Sequence, residues 1–163
     1  MKKFTKILVA SSILSLSSFA SYAQSEYYGA SSFEGFYAGA FAGGKFNPTA
    51  VTNVGGAAGV NFAVTDSILA GIEMQGSATL AATPTYDALM LGRVGYEVND
   101  DILVYGAAGG GLIDGTTSYA VGGGAEAMIV QQVGIRAEGL ATGEWGKNFD
   151  SSKLSLGVMW HMQ

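Results

Sequence analysis

The stretch Ile68 to Val98, ILAGIEMQGSATLAATPTYDALMLGRVGYEV, decides the fold. It reads as a long β-hairpin whose two arms each carry one deeply placed charge, Glu73 and Arg93. Ile72 and Met74 flank Glu73, and Gly92 and Val94 flank Arg93. That alternation has the period of two of a strand with one polar and one apolar face. An apex at Thr83-Pro84-Thr85 sets Glu73 and Arg93 directly opposite each other on one face. The reading that follows is a narrow barrel, with the charged face enclosed and the apolar face turned to hydrocarbon.

A second charge pair tests this independently. Glu126 and Arg136 are placed symmetrically about Gln131-Gln132, and Glu138 lies two residues beyond Arg136 on the same face. A buried charge without a partner is far more costly than a paired one. On the outside of a membrane barrel an arginine near the midplane costs about 2–4 kcal/mol. Arg93 and Arg136 therefore belong inside, paired with Glu73, Glu126 and Glu138.

Outward from the hairpin, the chain divides into eight strand-like segments. They are Phe36 to Phe46, about Val54 to Val64, the two hairpin arms, Ile102 to Ile113, Ser118 to Val130, Val133 to Trp145, and Lys153 to Met162. Each has roughly the 9–11 residues, or slightly more, that a tilted strand needs to cross a bilayer. The connections at Thr65-Asp66-Ser67, Asn99-Asp100-Asp101 and Gln131-Gln132 are short and polar, while Asn47–Asn53 and Gly143–Ser152 read as the longest loops. Short turns at one end and longer loops at the other are the asymmetry of an outer-membrane barrel. Trp145, Lys147 and Phe149 are the residues placed to make surface contacts. Tyr105 is assigned inward; Gly122, Gly124 and Glu126 share the lumen face, and Val121, Ala125 and Ile129 face out. In the last strand Leu154, Leu156, Val158, Trp160 and Met162 alternate with Ser155, Gly157, Met159 and His161.

The N-terminus reads as an export leader. Lys2, Lys3 and Lys6 form a basic start, Ile7 to Phe19 an apolar and serine-bearing middle, and Ser21-Tyr22-Ala23 a small-x-small cleavage site. The expected organisation is a cleaved leader over 1–23, a short periplasmic lead-in over 24–35, and a barrel over 36–163. Losing the three leader lysines makes the chain more acidic than its formal charge of −5, and no basic cluster remains, which argues against nucleic acid as a partner. With no cysteine, an exported domain needs a large core or a closed sheet to hold it. The 25 glycines are about twice the ordinary share of roughly 7%. Set among alternating apolar segments, they suggest curved strands and crowded walls, and lumen glycines suggest space inside.

Three segments resemble the small eight-stranded outer-membrane barrels, the group containing the OmpA transmembrane domain, OmpX and the short porin-family barrels. Gly35-Phe36-Tyr37-Ala38-Gly39-Ala40-Phe41-Ala42-Gly43-Gly44 is similar to the group's opening strand. Asn99 to Gly106 is similar to its turn and fifth strand, and Leu154 to Met162 to the C-terminal signal read by the barrel-insertion machinery. The chain departs from that signal in ending Trp160-His161-Met162-Gln163 where the group has a terminal Phe. The resemblance implies an all-β, eight-stranded antiparallel up-and-down barrel, outer-membrane lipid as its surroundings, and an ionic interior.

No catalytic set emerges. His161, the single histidine, falls at the periplasmic end of the last strand and reads as a rim residue in water. Gly122-x-Gly124-x-x-Ala127 lacks the βαβ context of a dinucleotide loop, and Gly146-Lys147 lacks a following Ser or Thr. Asp100-Asp101 reads as a polar turn, not a metal site. The expectation is a structural, non-enzymatic barrel without cofactor, its lumen closed by ion pairs. The alternatives are a narrow channel for ions or very small solutes, a surface adhesin or phage receptor, and a periplasmic lipocalin-type binder. The last would need an apolar inside and a polar outside.

Overall fold

The computed structural model describes residues 31–47 and 49–162. The expected leader, most of the lead-in, Pro48 and Gln163 lie outside them. The described chain forms eight strands: β1 (Gly35–Asn47), β2 (Thr49–Thr65), β3 (Ile68–Thr79), β4 (Tyr86–Asn99), β5 (Ile102–Ile113), β6 (Thr116–Val130), β7 (Val133–Glu144) and β8 (Ser151–Met162). Each pairs antiparallel with its neighbour in sequence, and β1 pairs with β8 from Phe36↔Met162 to Phe46↔Ser152. The sheet is a closed all-β barrel with no free edge, which removes the unpaired backbone groups an open sheet would carry.

Strand identity follows from the alternation. Along β4, Asp87, Leu89, Leu91 and Arg93 are buried while Tyr86, Ala88, Met90, Gly92 and Val94 are exposed. Along β8, Leu154, Leu156, Val158, Trp160 and Met162 are 53 to 71% exposed, whereas Lys153, Met159 and His161 are buried. Tyr105 is buried, and Val121, Ala125 and Ile129 are exposed, as their parity predicts.

Four sequence expectations need correction. The β3–β4 hairpin is centred on Ala82, one residue before the expected apex, because the Thr79 and Thr85 hydroxyls (3.0 Å apart) and the Thr79 N–H donating to the Thr85 carbonyl (2.9 Å) clasp the connection there. Glu73 consequently pairs with Leu91, and Arg93 with Gly71, so the two charges are diagonal neighbours. The segment Asn47–Asn53 is not a loop: Asn47 pairs with Thr49, and β2 begins there. The wide connections are Leu80–Thr85 and Trp145–Asp150, both at one end, while the other end carries the Asp66-Ser67, Asp100-Asp101 and Gln131-Gln132 turns. Finally, the lumen glycines do not leave space. A Cβ on Gly43, Gly109, Gly111 or Gly122 would come within 1.9 to 2.0 Å of a carbonyl oxygen on the next strand. Glycine there lets the wall curve tightly enough to close.

Each short-turn hairpin carries a register shift just before its turn, at Ala63/Thr65, Glu97/Asn99 and Met128/Val130. Such bulges bend the strand and sharpen its twist at a barrel rim. At the opposite end Asp114 (φ 51°) and Gly115 (φ 79°) both adopt left-handed backbone, the two-residue hairpin turn that Asp-Gly favours. Gly115→Val is expected to destabilise the barrel by about 1–2 kcal/mol, the cost of a branched residue in that conformation. Urea unfolding of the refolded protein measures it, and Gly115→Asn should cost less.

Candidate functional site

The interior is the candidate site, and the strands' inward parity builds it. Glu73 on β3 is its hub, fully enclosed. Its Oε2 accepts from Tyr37 Oη (2.5 Å), Arg93 Nη1 (2.8 Å) and Arg136 Nη1 (2.6 Å), and its Oε1 accepts from Gln75 Nε2 (2.7 Å). Arg136 also holds Glu126, with Nη2 at 2.9 Å and Nε at 3.0 Å from Glu126 Oε2. These two face each other in the β6–β7 register, as the sequence symmetry predicts. Glu138 is tied in without a direct arginine contact: Gln75 Nε2 donates to it at 2.7 Å and Tyr105 Oη at 2.7 Å. The Arg93 guanidinium lies 3.8 Å from the Tyr105 ring centroid and donates to Tyr37 Oη. Glu73, Arg93, Glu126, Arg136 and Glu138 thus form one connected network.

Several members were missed from the sequence. Tyr37 and Gln75 link charges that would otherwise be separate. His161 is not a rim residue in water. It is fully buried, 2.5 Å from Glu126 Oε1 through Nε2, with its ring against those of Phe33 and Tyr37. It faces inward because β8's inward parity carries it there, and Phe33 covers it. A second ionic group sits toward the wide-loop end. Asp87 accepts from Lys153 Nζ (2.9 Å) and Lys45 Nζ (3.4 Å), and Lys45 also meets Asp114 at 2.6 Å. Burial pushes the Asp114 carboxyl up, but the hydrogen bond from Lys45, one from Thr85 and the nearby ammonium charges outweigh it and hold it below the usual carboxylate range.

The outer wall has the opposite character. Among the described residues, outward strand positions carry no charge; Ile72, Met74, Met90, Val94, Val104, Leu156 and Val158 are all exposed. Aromatic side chains mark both ends of this apolar band. Phe62, Tyr96 and Trp160 stand near the short turns, and Phe46, Tyr86 and Trp145 near the wide loops. Trp145 and Phe149 are both exposed at the wide-loop end, with one side of each ring against the wall. Their rings pack at 5.7 and 5.3 Å against Tyr119, which faces out from β6 and donates from Oη to the Lys147 carbonyl. The Glu144 carboxylate hydrogen-bonded to Lys147 raises that ammonium's pKa.

No family model matches the chain, and no curated protein matches it. A solved structure from work on the de novo design of transmembrane β-barrels is similar, with a TM-score of 0.56, 18% sequence identity, and alignment over 78% of this chain and 95% of that one. The likeness is one of fold. It agrees with the closed eight-stranded antiparallel barrel and is silent on what occupies the interior.

Eight strands leave an interior just wide enough for side chains, and here the charged ones pair with one another. The Asn53 amide, the Thr142 hydroxyl and His161 Nδ1 have no hydrogen-bond partner among the described residues.

Proposed function

We propose that this chain is an integral barrel of a bacterial outer membrane, exported by the leader over 1–23 and belonging with the small barrels of the OmpA transmembrane domain and OmpX kind. Its work is structural: a non-enzymatic element contributing to envelope integrity, with a lumen closed by ion pairs. One observation carries the reading, the reversed polarity of the molecule. Glu73, Arg93, Glu126, Arg136, Glu138, Lys45, Asp87 and Lys153 are buried, while the outward wall is apolar between two sets of aromatic residues. A water-soluble protein rarely exposes so large a continuous apolar surface, and a lipocalin-type binder needs the opposite arrangement. Lipid is therefore the principal partner, with the insertion machinery reading Leu154, Leu156, Val158, Trp160 and Met162 during assembly. The expected result is recovery in the outer-membrane fraction and faster gel migration of unboiled than boiled protein. Recovery in the soluble periplasm would refute the reading.

A narrow ion path is the second reading. The Asn53 amide and Thr142 hydroxyl are buried with no partner among the described residues, and such groups call for water. Planar-bilayer recording distinguishes the two: a path gives a conductance that Arg93→Ala alters, whereas a closed lumen gives none.

A further inference from the structure

Phe33 is completely buried although it precedes the first strand. The Ser31–Glu34 turn, closed by the Glu34 N–H donating to the Ser31 carbonyl at 3.1 Å, carries it into the short-turn mouth of the barrel. There it joins the buried cluster containing Leu69 and Leu103 and meets the His161 ring edge-on at 5.7 Å. Asn61 Nδ2 donates to the Phe33 carbonyl at 2.9 Å, and the Ser31 hydroxyl accepts from the Phe33 N–H at 3.0 Å and reaches Glu97 on β4. Strand pairing starts only at Gly35, whose φ of 95° lets the chain turn sharply into the mouth.

Behind the ring lies an incomplete polar group. His161 Nδ1 has no hydrogen-bond partner among the described residues, in a side chain with no exposed surface. A buried nitrogen without a partner opposes the gain from burying a phenyl ring. Seating Phe33 is therefore a balance of opposed terms, and lifting it would hydrate the imidazole.

We propose that the Ser31–Glu34 turn is a removable stopper. Seated, Phe33 shuts water out from the Glu126–His161 end of the ion network; lifted, it opens the mouth to small water-borne solutes as far as that network. The inference concerns access to the interior, and it stands or falls separately from the membrane reading.

The chain has no cysteine, so one thiol placed in the buried cluster that Phe33 joins, by Leu103→Cys, reports on access. In the folded, detergent-held barrel, a charged methanethiosulfonate should modify this thiol slowly while Phe33 is present. Adding Phe33→Ala should speed the reaction at least about tenfold, as expected when a local opening step is removed. Ser31→Ala removes the hydroxyl that links the turn to Glu97 and to the Phe33 N–H and should speed it by roughly threefold. Gel migration without boiling verifies that each protein is folded. Phe33→Ala decides the matter if it folds, and Ser31→Ala decides it if Phe33→Ala does not. A rate unchanged in the deciding variant overturns the stopper, whether that rate is slow or fast.

Discussion

Glu73→Ala is expected to destabilise the barrel by about 3–5 kcal/mol, the range for removing one partner from a buried ion pair. The size follows from what is left behind. One carboxylate satisfies Arg93, Arg136, the Tyr37 hydroxyl and the Gln75 amide. Alanine leaves two guanidinium groups enclosed, and Arg93 already has Nε and Nη2 without hydrogen-bond partners among the described residues. Arg136 keeps Glu126, but Arg93 has no second carboxylate partner among the described residues. Glu73→Gln should cost less than alanine, since an amide retains an acceptor oxygen. Truncating Arg93 as well should recover part of the loss, because it removes the stranded charge. Urea titration of vesicle-refolded protein, followed by the fluorescence of Trp145 and Trp160, measures all three. An alanine variant within about 0.5 kcal/mol of the parent, the usual range for an unimportant surface change, would show that Glu73 is not the hub.

How much of this could be read beforehand follows from one rule, the parity of charges on strands. Glu73 and Arg93 fix the inward face of the hairpin, and the same parity reaches Asp87 and Ser77 on the same two strands. Lys45 shares its face with Tyr37, and Lys153 with His161. The second ionic group was thus legible by parity, although Lys45 and Lys153 have no charged mate placed symmetrically about a turn. The Glu126–Arg136 opposition was legible from the charge symmetry, although the two-residue turn alone would set Glu126 against Ala137; the register shift at Met128/Val130 brings Arg136 opposite it. The Glu73–Arg93 register was not, since a wide connection can close on either of two adjacent centres and side-chain hydroxyls chose between them. Side-chain bridges such as Gln75 between Glu73 and Glu138 cross the lumen between distant strands, and no sequence spacing announces them. Phe33 was hidden for a different reason: it lies outside any periodic segment, and its burial depends on a turn docking into a mouth that other strands build.

The second large effect tests the outer wall. Met90 faces outward on β4, 58% exposed, between Tyr86 and Tyr96 toward the two ends of the strand; Val98, 57% exposed, lies beyond Tyr96 near the short-turn rim. In a bilayer the aromatic positions mark the interfaces, so Met90 sits near the middle of the hydrocarbon and Val98 near its edge. Met90→Arg should then cost about 2–4 kcal/mol of folding free energy and Val98→Arg about 0–1 kcal/mol, the depth dependence known for barrel walls. Neither side chain touches the ionic interior, so packing cannot produce the difference. In water the expectation is different: both positions would be ordinary exposed sites, and either arginine would fall within about 0.5 kcal/mol of the parent. Urea titrations of both variants in phosphatidylcholine vesicles separate the cases. Equal, small effects would mean that the apolar wall does not face lipid. A large effect at Met90 alone would locate the membrane midplane on the barrel, since the cost falls with distance from the centre and each outward position of β4 samples a different depth.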